Sequence, residues 1–389
     1  MNFPLRRIMF GALTVAAIWI IAVILGWIFQ PEAFYRAYLH SWLLWLGVAL
    51  GSLAVVMLHH MTGGEWGITI RRLGEHAAMT LPLLIVLFIP IVIGMHSLYP
   101  WDRADALALS AKLRHKVPYL NVTFFLCRAV IYAAIWTFLA WYLRSRSLRY
   151  DRNPNPITRR RMHNLSAGGM LAYFITMSLA SVDWIMSLEP EWFSTIFGFI
   201  IIMGQVLSGL AVLIVLFSLM RNSPPFRDIV RPNLFNDLGN LLLTFVILWT
   251  YMAFAQLLVT WMANKQDEIP WYVQRLSNGW GGIALLLVIL HFLVPFIMLL
   301  MRELKRKAPA MLALCAGLLI MRSIDLFWNV APSGEDPMPL LSHLLTWMDF
   351  VFPIGMGALW LALFCWLADG HPLIIEGDAV PVPEELGNV

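Results

Sequence analysis

Residues 192–220 read WFSTIFGFIIIMGQVLSGLAVLIVLFSLM, a run of 29 residues without a single charged side chain. About 20 apolar residues are enough to cross the hydrocarbon core of a bilayer, roughly 30 Å thick, as an α-helix. Because lipid offers no water to satisfy backbone N–H and C=O groups, a run of this length is predicted to be helical. The stretch therefore predicts a membrane-spanning helix, and other stretches of the chain can be compared with it.

Nine further stretches have the same character, long and apolar with few charges. The connecting segments are too short to form a soluble domain, so residues 1–389 are predicted to be one integral membrane domain. A short acidic tail, residues 369–389, is predicted to be cytoplasmic. The ten predicted spans are residues 8–29, 37–61, 76–98, 118–143, 165–186, 192–220, 237–261, 278–301, 308–328 and 342–367.

The composition excludes most other classes of protein. Sixty per cent of the residues are hydrophobic and 13% are charged, whereas soluble domains carry about 25% charged residues. The 18 Trp and 23 Phe residues are typical of aromatic belts at two membrane interfaces. We therefore predict an all-α polytopic membrane protein.

No sequence motif for a cofactor is present in the chain. It has only three cysteines, without a Cys-x-x-Cys-His motif or a cysteine cluster, so haem c and iron–sulfur clusters are not expected. It has no Walker-type phosphate loop. We expect this chain to hold no metal or redox cofactor of its own.

The distribution of Lys and Arg predicts the orientation in the membrane. With the N-terminus inside, 18 basic residues lie in predicted cytoplasmic segments, seven of them between Arg144 and Arg161, and seven lie on the other side. The positive-inside rule then places both termini in the cytoplasm. The pI near 9.0 is interpreted as a topogenic signal rather than a nucleic-acid surface. The Arg144–Arg161 segment could also attract acidic lipid headgroups.

A weak internal repeat predicts how the helices are grouped. The fifth span ends in Ser181-Val182-Asp183-Trp184 and the ninth in Ser323-Ile324-Asp325-Leu326. The two segments lie four helices apart and run in the same direction. This repeat predicts two four-helix bundles, helices 2–5 and 6–9, with helices 1 and 10 peripheral to them.

Six ionisable residues stand out inside the predicted spans, and others lie near the span ends. A charge at the bilayer centre costs roughly 2.5–3.5 kcal/mol, so such residues are expected to face the bundle interior and to find partners. Two hypotheses remain open, a proton path and a static charge-neutralised lock between bundles. At the inner edge, His59, His60 and Asp237 could form a cytoplasmic proton entrance. The proposed path residues are Arg128, Asp183, His291, Arg322, Asp325 and Asp349.

Four segments resemble one family of membrane subunits. They are Asp183-Trp184-Ile185-Met186-Ser187-Leu188-Glu189-Pro190-Glu191-Trp192, Leu58-His59-His60-Met61-Thr62-Gly63-Gly64, Phe235-Asn236-Asp237-Leu238-Gly239-Asn240 and Ile269-Pro270-Trp271-Tyr272. They are similar to the smaller polysulfide-reductase/NrfD-like (ActF-like) subunit of alternative complex III, a quinol:cytochrome c oxidoreductase. The resemblance runs through most of the chain, and the ten-helix count agrees with it.

The resemblance implies a place in a bacterial respiratory complex of the inner (cytoplasmic) membrane. The implied partners are a larger NrfD-like membrane paralogue, an iron–sulfur protein, and multihaem and monohaem cytochrome c subunits, with lipids around them. The resemblance also implies that the working quinol site lies in the paralogue. This chain would then contribute scaffold and proton-path residues without carrying out a redox step itself.

Two alternatives remain open at the level of sequence. A secondary transporter would share parallel repeats and midplane polar residues, although no paired broken helices are evident in both halves. A purely structural scaffold subunit would use the same ion pairs only to lock its bundles together.

Overall fold

Ten helices in the described part of the chain are long and apolar enough to cross a membrane, as the sequence predicts. The computed structural model describes residues 3–104, 110–333, 339–340, 342 and 346–374, apart from the side chains of Glu32 and Asp228. Helices and short connections make up this part, and it contains no strand. The helices are α1 Leu5–Phe29, α2 Ala33–Thr62, α3 Glu65–Ile93, α4 Val122–Arg152, α5 Pro156–Leu188, α6 Phe197–Met220, α7 Pro232–Ala263, α8 Trp280–Leu300, α9 Ala308–Val330 and α10 Met348–Ala368.

The helices α3, α4 and α5 extend well beyond the predicted spans into polar sequence. Helix α3 begins at Glu65 whereas the predicted span began at residue 76, and only residues 153–155 separate α4 from α5. Helix α5 begins with a cap, because the Asn155 side chain accepts a hydrogen bond from the backbone N–H of Ile157 at 2.8 Å and Pro156 suits the first turn. Hydropathy detects only the part of a helix inside the lipid, so the sequence could not show these charged turns. Residues 343–345 of the predicted tenth span and 375–389 of the tail lie outside the described residues.

Prolines disturb two of the spans. Helix α3 is interrupted by turns around Thr80 and Leu87, next to Pro82 and Pro90. Helix α8 widens into a π-helical segment over Leu287–Leu293, just before Pro295. Proline has no N–H and displaces the carbonyl four residues earlier, which loosens the helical ladder at this point.

Helices α2 and α6 form the centre of the molecule. They are the most buried spans, with 89% and 78% of their most apolar stretch inside the protein. Gly51 and Gly209 let the two backbones come into contact: a Cβ atom on Gly209 would lie 2.3 Å from the carbonyl carbon of Gly51. Small residues allow this close approach in membrane proteins, where packing takes over from the hydrophobic effect.

The other helices surround this central pair in two groups. Helix α2 packs against α3 and α5, which both contact α4, while α6 packs against α7 and α9, which both contact α8. Helices α1 and α10 pack tightly on each other and reach the rest mainly through α2. Arg6 Nε donates to Asp369 Oδ2 at 2.9 Å, so the two ends of the described chain lie on one face. We call this face the terminal face and the opposite one the distal face.

Candidate functional site

Arg128 and Asp183 form a bidentate ion pair near the distal face. Arg128 of α4 donates from Nε and Nη2 to the two carboxylate oxygens of Asp183 on α5, at 2.9 and 2.7 Å. The Tyr132 hydroxyl donates to the same carboxylate at 3.0 Å, and the third guanidinium nitrogen donates to the Tyr119 carbonyl at 3.0 Å. Burial and the nearby Asp183 carboxylate raise the pKa of Tyr119 to about 12. The charge of the Asp183 carboxylate is thus balanced by that of Arg128, and three donor groups hold this carboxylate in place.

A second pair, Arg322 and Asp325, lies on α9. Both residues are buried, and Arg322 Nη1 donates to Asp325 Oδ2 one helical turn away. The guanidinium occupies space that Gly204 of α6 leaves free, because a Cβ atom there would lie 2.3 Å from Arg322 Cζ. Asn329 Nδ2 donates to the Asp325 backbone carbonyl at 2.8 Å and to its carboxylate at 3.2 Å. Asp325 therefore has one guanidinium contact where Asp183 has two.

The α9 pair is connected to the distal face through Arg275. This residue lies on the short helix Ile269–Leu276 and donates to the Asn329 carbonyl and to Glu189 Oε1, both at 2.8 Å. Burial lowers the pKa of Arg275, and the Glu189 carboxylate offsets part of that effect. The result is a buried polar chain, Arg322–Asp325–Asn329–Arg275–Glu189, which we call the α9 relay.

Sequence reasoning missed the distal half of this relay. In the sequence, Arg275 is one of the seven basic residues of the outer segments, and Glu189 appears only after the Ser181–Trp184 repeat segment and within a segment of family resemblance. The available signal was the spacing of Trp271 and Arg275, four residues apart on a short helix. The guanidinium lies over the Trp271 ring, 4.0 Å from its centroid.

Towards the middle of the membrane span, the buried polar side chains are of uncharged types. The Tyr173 hydroxyl of α5 donates to Gln205 Oε1 of α6 at 2.8 Å. His291 lies in the π-helical segment of α8, edge-on to Trp249 with ring centroids 4.3 Å apart. Neither of its ring nitrogens has a hydrogen-bond partner among the described residues.

Asp349 faces a histidine that the sequence interpretation did not single out. His40 of α2 is buried, and its Nδ1 lies 3.8 Å from Asp349 Oδ1 of α10. This distance is too long for a hydrogen bond. The charged residues of the proposed path therefore form three separate groups: Arg128 with Asp183, Arg322 with Asp325, and Asp349 with His40.

Two largely apolar cavities flank α9. One, of about 580 Å³, is lined by aromatic residues including Trp249 and Trp271 and reaches Asp325 and Asn329. The other, of about 550 Å³, lies between α2, α8, α9 and α10 and contains the His40 and Asp349 groups. Helix α9 thus carries the buried carboxylate of Asp325, which faces the first cavity. The same helix separates this carboxylate from the second cavity.

The predicted cytoplasmic entrance is only partly brought together. His59 and His60 line a cavity of about 580 Å³ at the terminal face. Asp237 is exposed at the start of α7 and is not part of the lining of that cavity. The three residues therefore do not form one group.

A buried ion cluster at the terminal face was also missed. Arg72 is fully buried and donates to Glu75 at 2.5 Å and to Asp151 of α4. Arg71 Nε lies 3.8 Å from Glu75 as well. The sequence interpretation counted these arginines only as signals of orientation, because their acidic partner on α4 is remote in the chain.

In the part of the chain that the structure describes, no group of three or more His, Cys, Asp or Glu side chains could hold a metal ion. No protein-family model matches the chain, and no curated protein matches it significantly.

Proposed function

We propose that this chain is a membrane subunit of a quinol-oxidising respiratory complex of the alternative complex III type, and that protons pass through its interior. The observation that carries the proposal is the α9 relay, which connects buried Arg322 and Asp325 to Glu189 at the distal face. Charges within a membrane are costly and are usually associated with ion pathways or proton relays.

The contacts of Asp325 suit a proton carrier. When its carboxylate takes up a proton, the attraction to Arg322 is lost and the guanidinium is free to turn towards Tyr173 and Gln205. Arg322 and Arg275 do not deprotonate in proteins, so neither carries the proton. In our proposal Arg322 acts as a movable positive gate and Arg275 holds Glu189 in place, while Asp325 and Glu189 exchange the proton through water that enters the cavity beside Asp325. Glu189, whose side chain is 18% exposed, exchanges the proton with water at the distal face.

A gate is needed for energetic reasons. Moving one proton against 100 mV costs about 2.3 kcal/mol, so an open water-filled pore would dissipate the gradient. Asp349 with His40 forms a second carrier group in our proposal, since its carboxylate has no guanidinium partner in the described chain. His291 extends the path inward, and His59 and His60 serve its terminal end.

We assign a different role to Arg128 and Asp183. Their bidentate geometry joins α4 to α5 and is supported by the Tyr132 hydroxyl. Because three donor groups hold the Asp183 carboxylate in place, this pair serves as a structural lock. The scaffold hypothesis thus applies to one pair and the relay hypothesis to the other.

The assembly follows from the resemblance, and the packing supports the grouping of the helices. The two helix groups around α2 and α6 suit two four-helix bundles, helices 2–5 and 6–9, with α1 and α10 peripheral. We propose a bacterial inner-membrane location with the terminal face in the cytoplasm. The proposed partners are the larger NrfD-like paralogue, the iron–sulfur protein and the cytochrome c subunits, which hold the iron–sulfur clusters and haem c.

Quinol oxidation itself is assigned to the paralogue. The cavity beside Asp325 has the volume and apolar aromatic lining of a small-molecule site, so a quinol bound by this chain would lie there. In our proposal that binding is not needed for turnover, and this chain carries out no redox step.

The test is Asp325→Asn in the intact complex. Asparagine keeps the size of the side chain but cannot take up a proton, so we expect fewer protons released per quinol oxidised while electron transfer continues. Proton release and cytochrome reduction would be recorded together in reconstituted vesicles.

Glu303→Gln is the matched control, because Glu303 is an exposed carboxylate near the terminal face. It is expected to leave the ratio of protons to electrons unchanged. An assembled Asp325→Asn complex with the wild-type ratio would rule out the relay.

A further inference from the structure

We propose that the cavity beside His59 and His60 binds the phosphate headgroup of an anionic membrane phospholipid, whose acyl chain lies in an apolar groove along α5. The inference does not rest on the α9 relay, which lies at the opposite face, although the cavity includes His59 and His60, placed above at the terminal end of the proposed path. It rests on a basic cavity, two helix N-termini and a groove that joins the cavity.

The cavity is basic and lies where three spans leave the apolar layer. Its walls come from the end of α2 and the beginnings of α3 and α5, and its volume is about 580 Å³. Three arginines line it, Arg71, Arg159 and Arg160, against one acidic residue, Glu65; Arg71 also lies 3.8 Å from Glu75. Basic pockets between membrane helices bind phospholipid headgroups, and guanidinium groups match the oxygens of a phosphate.

One wall of the cavity is rigidly built. His59 is buried, and its Nε2 lies 3.0 Å from the Gly64 carbonyl. Its ring is edge-on to Trp66, with centroids 5.1 Å apart, and lies against Gly67, where a Cβ atom would be 1.8 Å from the ring. Arg159 and Arg160 are exposed and can close over a headgroup from the opposite side.

Two helices begin at this cavity. Helix α3 starts at Glu65 and α5 at Pro156, and both residues are part of its lining. Helix N-termini carry partial positive charge, which favours a bound anion. They add to the field of the arginines at the same point.

An apolar groove continues from the cavity into the membrane. Met61 lines both the cavity and the groove, whose volume is about 710 Å³. The groove follows one side of α5 from Ala167 to Leu179 and includes the exposed Leu171 and Ile175. Twelve residues of helix span about 18 Å, which is close to one leaflet of the hydrocarbon core, about 15 Å.

The groove decides between two sources of the phosphate. A free phosphate ion would use the arginines alone, whereas a phospholipid needs both the cavity and the groove. We therefore infer that the phosphate belongs to a lipid. Separate substitutions in the cavity and in the groove test the two parts of this site.

The experiment measures binding of phosphatidylglycerol to the purified full chain by native mass spectrometry. Arg159→Gln together with Arg160→Gln is expected to weaken binding about 30-fold, from the typical contribution of two basic residues near an anionic lipid. Ala167→Phe fills the groove and is expected to weaken binding at least fivefold without changing the charge. Phosphatidylcholine with the same acyl chains should bind poorly to every form.

Arg227→Gln together with Arg231→Gln is the matched control, since it removes two exposed charges in the connection between α6 and α7, away from the cavity. It should leave phosphatidylglycerol binding unchanged, and thermal unfolding would show that each variant is folded. An equal loss in this control would indicate nonspecific attraction and overturn the proposal. Displacement of the lipid by millimolar inorganic phosphate, with no effect of Ala167→Phe, would overturn it in favour of a free anion site.

Discussion

Two arginine–aspartate pairs lie in the distal half of the molecule, but their carboxylates are held in different ways. Asp183 accepts two hydrogen bonds from Arg128 and one from Tyr132. Asp325 accepts one from Arg322 and a longer one from Asn329. The same pair of residue types thus forms a lock in one place and a movable contact in the other. The two pairs differ in the number of donors that hold the carboxylate and in how firmly those donors are fixed.

At the residue scale, we predict that Arg128→Met destabilises the protein. It leaves the Asp183 carboxylate buried without its guanidinium, which typically costs about 3–5 kcal/mol. The measurement is the midpoint of thermal unfolding of the purified chain in detergent. The double variant Arg128→Met with Asp183→Leu should regain most of that loss, because no charge is then left unpaired.

Wild-type stability of the single variant would contradict the structural lock. So would a double variant less stable than the single one, since the remaining carboxylate would then not be the source of the cost.

The contact between α2 and α6 depends on the absence of side chains. Gly51 and Gly209 face each other at backbone distance, and neither can accept a Cβ atom without displacement of the partner helix. The other helices pack in two sets on α2 and α6. The separation of these two helices therefore affects where Gln205 and Gly204 of α6 lie relative to Arg322 of α9. Packing at one glycine pair is therefore connected to the geometry of the α9 relay.

At the element scale, we predict that Gly209→Ala lowers stability by about 1–3 kcal/mol, the usual cost of overpacking a tight interface. Thermal unfolding of the purified chain measures the effect. Gly168→Ala on α5 is the matched control, because nothing lies within 4 Å of its added Cβ atom. This control should be neutral or slightly stabilising, since alanine favours a helix more than glycine does. Equal effects of the two substitutions would contradict the close approach.

For the whole molecule, the arrangement puts the lock and the relay at one face and the basic cavity at the other. The Arg6–Asp369 contact brings the two ends of the described chain together on the terminal face. The excess of basic residues in the segments of this face, 18 against seven, predicts that it faces the cytoplasm. Orientation decides whether the relay opens to the outside, as our proposal requires.

Cysteine labelling tests this predicted orientation, in a variant lacking Cys127, Cys315 and Cys365. Ser277→Cys lies in an exposed connection at the distal face, and Asn222→Cys lies in one at the terminal face. A membrane-impermeant thiol reagent should label the first in intact cells and the second only after the membrane is opened. The reverse pattern would place the relay on the cytoplasmic side and contradict the proposed direction of proton release.

The sequence alone determined the number of spans and most of the ionisable residues inside them. Hydropathy is a property of consecutive residues, so a run such as 192–220 can be recognised without knowledge of its neighbours. The irregularity at His291 was also accessible, because the proline that causes it lies four residues away. Helix ends in polar sequence were not, since caps such as Asn155 leave no hydropathy signal.

Only the tertiary structure decided which partner each buried charge has. Arg128 and Asp183 are 55 positions apart, and Arg275 and Glu189 are 86 apart, so no local pattern connects them. Asp325 and Glu75 each have a guanidinium three positions away on their own helix, and the Arg322–Asp325 pair is visible from that spacing. A buried charge is stabilised by whatever the fold brings to it, and this depends on how the helices pack rather than on the order of residues along the chain.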